Sequence, residues 1–162
     1  MKFSFVFPGQ GSQSVGMMKG YSDLTIVKDT FSEASDILND DFWAMANNGP
    51  PDILNLTTNT QPLMLISGVA IYRAWKNLGG ADPTFIAGHS LGEYTALVVS
   101  GVMTFKDALS IVQFRGSVMQ QAVPEGVGKM AAILGLDDET IQAICIEITR
   151  KSKKELLEPA NY

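Results

Sequence analysis

Residues 60–99 constrain the fold more than any other stretch, because they set a helix, a strand, a sharp turn and a second helix in direct succession. Thr60-Gln61-Pro62 opens a helix that runs through Leu63, Ile66, Ala70, Ile71, Ala74 and Leu78 and stops at Gly79-Gly80. That helix is too apolar to lie on a surface. Residues 84–87 (Thr-Phe-Ile-Ala) form a short apolar run fit for a buried strand, and residues 93–99 (Glu-Tyr-Thr-Ala-Leu-Val-Val) start a helix. The pattern predicts an α/β protein with a mostly parallel sheet. Between strand and helix stands Gly88-His89-Ser90-Leu91-Gly92. Small residues at both flanks let the backbone take a strained turn that lifts a serine hydroxyl clear, at a helix N-terminus whose free N–H groups favour negative charge. An acyl-transferring nucleophile needs that setting.

A glycine-flanked serine is common in ordinary turns, so this pentapeptide decides little by itself. Two other features add to it. Phe3, Val6 and Phe7 make a short strand that stops at Pro8-Gly9, and the loop continues as Gln10-Gly11-Ser12-Gln13. A loop with two glycines at the carboxyl end of a strand exposes backbone N–H groups where ligands bind to open parallel sheets; the plainer reading is a tight turn into a helix. Helical periodicity then spans residues 25–38 and, after a capping arrangement at Thr104-Phe105-Lys106-Asp107, runs from there to about Ala122. On that last helix Arg115 shares a face with Ala108, Ile111, Val112, Val118 and Met119, so one cation sits inside an apolar stripe. It is either half of a structural ion pair or the receptor for a ligand's carboxylate, which a guanidinium grips bidentately.

Composition excludes several classes. Of 162 residues, 46% are hydrophobic and 18% charged, and the formal net charge is −5, so no basic field exists to attract nucleic acid or an anionic membrane. The single cysteine, Cys145, lies in an Ile-Cys-Ile setting that suits a buried structural thiol and a reducing, cytoplasmic compartment. The apolar run at the N-terminus is too short for a signal peptide, and no later stretch is long and apolar enough to span a bilayer.

Phe7-Pro8-Gly9-Gln10-Gly11-Ser12-Gln13, Gly88-His89-Ser90-Leu91-Gly92-Glu93-Tyr94 and the Arg115 helix, in this order and spacing, resemble the malonyl-CoA:acyl carrier protein transacylases of bacterial fatty acid synthesis. Gln61-Pro62, Ala122-Val123-Pro124-Glu125-Gly126 and Leu134-Gly135-Leu136 resemble that family too. The resemblance implies an α/β-hydrolase-like core, of which residues 1–126 would be the N-terminal part, and a small ferredoxin-like subdomain beginning at residues 127–162. It implies ping-pong transfer with Ser90 as nucleophile, the backbone N–H groups of Gln10 and Leu91 as oxyanion hole, and Arg115 holding the malonyl carboxylate. The partners would be malonyl-CoA, with coenzyme A as leaving thiol, and an acyl carrier protein bearing phosphopantetheine; no metal or redox cofactor is called for, and the full-length enzyme would be a monomer.

The chain departs from the family pattern in one respect. It has a single histidine, His89, whereas the family's serine-activating histidine and a contributing glutamine come from a downstream region absent here. His89 adjoins the nucleophile on a sharp elbow, so its side chain should point away from the hydroxyl and serve a structural role. Toward the end, residues 128–134 read as a strand, 137–150 as a helix, 151–155 as a solvated connection and 156–162 as the opening of a further strand, so the chain is expected to be truncated. Two alternatives stay open: a serine esterase of α/β-hydrolase type, which needs an acid and a histidine after the serine, and a non-catalytic acyl-binding or carrier-binding fragment.

Overall fold

Two parallel strands and the long helix between them place the carboxyl ends of both strands side by side. The computed structural model describes residues 2–123, 127–152 and 155–161. Strand β1 (Ser4–Phe7) pairs with β2 (Phe85–Gly88) in the register Ser4↔Phe85 to Phe7↔Gly88. The connection carries α1 (Thr25–Leu38), α2 (Phe42–Asn48), α3 (Pro51–Leu54) and α4 (Thr57–Asn77). After β2 come α5 (Leu91–Val99) and α6 (Phe105–Ala122). The mixed α/β arrangement with a small parallel sheet agrees with the expectation.

Helix α4 is the hub, packed against α1, α5 and α6. Its residues 60–67 are buried without interruption, which is what a helix enclosed by three others requires. Phe31, Leu63, Leu65, Ile66, Leu91 and Leu109 are among the largest fully buried side chains of the core. One face of the strand pair meets this layer: Phe5 contacts Tyr72 and Trp75 of α4, with ring centroids 5.5 and 5.7 Å apart. The other face is open among the described residues, with Val6 71% and Phe85 70% exposed. The expectation that 84–87 is buried is therefore corrected to a half-covered strand, because residues one apart on a strand point to opposite faces.

The helix expected at 25–38 has those same bounds and ends where Asn39 turns left-handed at φ 56°. Thr104 caps α6, its hydroxyl accepting from the Asp107 N–H at 3.1 Å. Helices α2 and α3 have no counterpart in the sequence reading.

Residues 128–162 form a separate compact unit from residues 1–127. It holds α7 (Asp138–Lys151), capped by Asp137, whose carboxylate accepts from the Thr140 N–H at 2.8 Å and is held below its usual range chiefly by that bond. Cys145 is buried there, as expected. The strands expected at 128–134 and 156–162 do not form over the described residues of those segments. Apolar character gives strand propensity, but a strand exists only when its backbone groups find a ladder partner. Residues 124–126, part of the family-like Ala122–Gly126 segment, and two residues of the 151–155 connection lie outside the described residues. No described helix is long and apolar enough to cross a membrane.

Candidate active site

The turn after β1 and the turn after β2 interlock. The backbone N–H of His89 donates to the Phe7 carbonyl at 3.1 Å, tying the first residue after β2 to the last residue of β1. Ser90 follows at φ 52°, ψ −111°, a conformation that non-glycine residues rarely adopt, and its side chain is exposed just before the first turn of α5. The flanking glycines are dictated by contact. A Cβ on Gly88 would lie 2.0 Å from the Gly92 carbonyl oxygen, and one on Gly92 would lie 2.0 Å from the Phe7 carbonyl oxygen. Gly9 is less crowded but still close, its Cβ position being 2.9 Å from the His89 carbonyl oxygen. Glycine at these positions lets helix, strand and both turns close on one another.

Arg115 reaches this point from α6. Its Nη2 donates to Ser90 Oγ at 3.0 Å and its Nη1 donates to Gln61 Oε1, while the guanidinium lies 5.9 Å from the Tyr94 ring centroid. Gly116 brings α6 close enough for this, since a Cβ there would stand 3.0 Å from the Thr57 carbonyl oxygen and 3.1 Å from the Thr58 Cα. The apolar stripe expected around Arg115 is only half a stripe. Ala108 and Val112 are buried, but Ile111, Val118 and Met119 are 39, 47 and 42% exposed, and Arg115 itself is half-buried. Among the described residues no carboxylate pairs with Arg115; the ion pairs join Arg73 to Glu33, Lys76 to Asp82 and Lys151 to Glu147. Of the two readings of this cation, the structural ion pair finds no partner there.

Gln10 sits in the loop after β1. Its side chain accepts from Gln61 Nε2 at 3.0 Å and donates to Thr57 Oγ1 at 3.2 Å. Leu91 is the first residue of α5 and its side chain is buried. Neither backbone N–H, of Gln10 or of Leu91, has an acceptor among the described residues. His89 is exposed and makes no hydrogen bond to Ser90 Oγ; its Nδ1 lies beside Gly9. Three of the four expected site residues, Ser90, Arg115 and Gln10, thus belong to one hydrogen-bonded chain. Gln61, which links Arg115 to Gln10 in that chain, is read from the sequence as part of a helix start and, with Pro62, as a family-like segment, but not as a site residue. The available signal is an amide placed directly before the apolar run Pro62 to Ile66, a residue that needs partners when buried.

Residues 4–149 match the family model described as the acyl transferase domain. The chain belongs to the acyl transferase domain family. Among curated relatives of this domain, the malonyl CoA-acyl carrier protein transacylase of Escherichia coli K12 is 50% identical over 162 residues, which make up 99% of this chain and 52% of that protein. Among solved structures, the acyl-carrier-protein S-malonyltransferase of Burkholderia pseudomallei 1710b superimposes with a TM-score of 0.87 at 59% identity, over 93% of this chain and 49% of that one. A malonyl-transacylase solved in complex with a type II PKS acyl-carrier protein gives 0.88 at 49% identity, with the same two coverages. The chain spans about half the length of the relatives it matches.

Proposed function

We propose that this chain carries the nucleophile half of a malonyl-transferring site, on an α/β-hydrolase-like core followed by the start of a ferredoxin-like subdomain. The observation that carries the reading is Arg115: a cation with no carboxylate partner among the described residues, 3.0 Å from the hydroxyl of a serine on a strained strand-to-helix turn. A neutral acyl group would leave that charge unanswered. Malonate ends in a carboxylate that the guanidinium fork can grip in two hydrogen bonds.

Ser90 Oγ attacks the thioester carbonyl of malonyl-CoA; the Oγ–C bond forms, the C–S bond breaks, and coenzyme A leaves as its thiol with the proton that the serine gave up. The phosphopantetheine thiol of an acyl carrier protein then attacks the ester, and the proton returns to Ser90. The N–H groups of Gln10 and Leu91 are the donors for the oxyanion in both steps, each worth ~3 kcal/mol of barrier. The relatives' names and the carrier-protein complex of one of them support this choice of substrate and partner. The resemblance assigns the base to a histidine outside residues 1–162, and His89, lacking a bond to Oγ, does not take its place. A free buried cysteine fits a reaction in the cytoplasm.

The test is intact-protein mass after incubation with malonyl-CoA. The expected result is one malonyl adduct on the wild type, localised to Ser90, and none on Ser90→Ala with an unchanged circular dichroism spectrum. An adduct on the alanine variant would sink the assignment.

A further inference from the structure

Gln61 is 1% exposed in α4, and both ends of its amide are engaged. The direction of those bonds follows from chemistry. Arginine only donates, so the atom of Gln61 that faces Arg115 is its carbonyl oxygen. That aims Gln61 Nε2 at Gln10, whose facing atom must be Oε1, and leaves Gln10 Nε2 to donate to the Thr57 hydroxyl. The side chains form one relay, Arg115 to Gln61 to Gln10 to Thr57, with every donor matched to an acceptor. Its first member also touches Ser90 Oγ.

We infer that Gln61 is a positioning residue that holds the Arg115 guanidinium beside Ser90 without neutralising it, and so sets the preference for carboxylated acyl groups. The inference rests on the acyl-transfer reading above. A neutral acceptor fixes the guanidinium and leaves its charge for the ligand. Glutamate has the same shape and would accept from Arg115 equally well. It would cancel the charge, occupy the place of the substrate's carboxylate in the electrostatics of the site, and present an acceptor to Gln10 Oε1 where a donor is needed. The bonds also tie the arginine to the Gln10 turn, so the clamp and the loop bearing one proposed oxyanion donor move as a unit.

The experiment compares transfer from malonyl-CoA and acetyl-CoA to an acyl carrier protein, using the protein as wild type, Gln61→Glu and Gln61→Met. A hydrogen bond to a charged group governs about tenfold or more in an equilibrium. The malonyl-to-acetyl ratio of kcat/KM should accordingly fall by roughly tenfold or more in Gln61→Glu, and fall also in Gln61→Met, which keeps the volume but loses both bonds. If the glutamate variant does not fold, the methionine variant carries the same reading. A merely structural glutamine would lower both substrates alike, and a ratio unchanged from the wild type overturns the inference alone. A wild type that transfers no malonyl group overturns the acyl-transfer reading and the inference with it.

Discussion

Arg115 donates to the hydroxyl of Ser90 across 3.0 Å, from the middle of α6 to the turn that opens α5. On the proposed reading, the arginine stands beside the oxygen that would carry the acyl group. A malonyl ester would place its carboxylate carbon two carbons beyond the ester carbonyl carbon, within reach of a guanidinium that touches the ester oxygen. On that reading, acylation would exchange one neutral acceptor of the guanidinium for a charged one with two oxygens, which would favour the loaded state.

Arg115→Ala should accordingly separate two substrates. Breaking a desolvated charge pair from one side costs ~3–5 kcal/mol, over a hundredfold in rate, but acetate has no carboxylate to lose. Because Arg115 is only half-buried, the lower end of that range applies. Steady-state transfer from malonyl-CoA and acetyl-CoA measures it. Equal losses would make the arginine structural.

Ser90 should be a position where glycine is not a destabilising choice. A residue held at φ 52°, ψ −111° carries ~1–3 kcal/mol of backbone strain, whereas the extra unfolded-state entropy of glycine costs ~0.4–1 kcal/mol. Ser90→Gly should melt at or above Ser90→Ala, and both should be inactive. A glycine variant clearly less stable than the alanine variant would mean that the turn is unstrained.

The neighbouring glycines should behave in the opposite way. Gly92→Ala forces a methyl group within 2.0 Å of the Phe7 carbonyl oxygen, a backbone atom that cannot swing aside. Overpacking of this kind costs ~1–3 kcal/mol or more. Gly20→Ala is the control, since a Cβ there meets nothing within 4 Å, and it should stay within ~0.5 kcal/mol of the wild type. Denaturant midpoints at equal m-value decide the comparison.

These sites show how far the sequence could be read. The elbow is legible because glycine, serine and the strand-to-helix switch are all local, and α1 because its apolar positions recur over 14 residues. Helices α2 and α3, of seven and four residues, are too short for a helical period to register. Arg115 is visible as an anomaly, but its depth is not, since exposure on α6 depends on how close Gly116 lets that helix approach α4. Gln61 gains its role from a residue 54 positions away, a separation that no local pattern encodes.

The last prediction concerns the proton on Ser90. Among the described residues the hydrogen-bond partner of Oγ is Arg115, which can only donate, so nothing there accepts the proton that must leave as Oγ attacks. His89 is the one histidine of these 162 residues, and it makes no bond to Oγ. General-base assistance contributes ~10²–10⁴-fold, and a site deprived of its base falls back on what binding and oxyanion donors supply. Residues 1–162 on their own should therefore form the malonyl ester slowly, by about that factor relative to the E. coli relative assayed beside them. Added imidazole, a diffusible base of the kind the resemblance implies, should speed that acylation in proportion to its unprotonated fraction as pH rises through its own titration. The measurement is the rate of mass gain on Ser90 under excess malonyl-CoA. A rate matching the relative's and indifferent to imidazole would place the base within these residues, with His89 the first to be replaced.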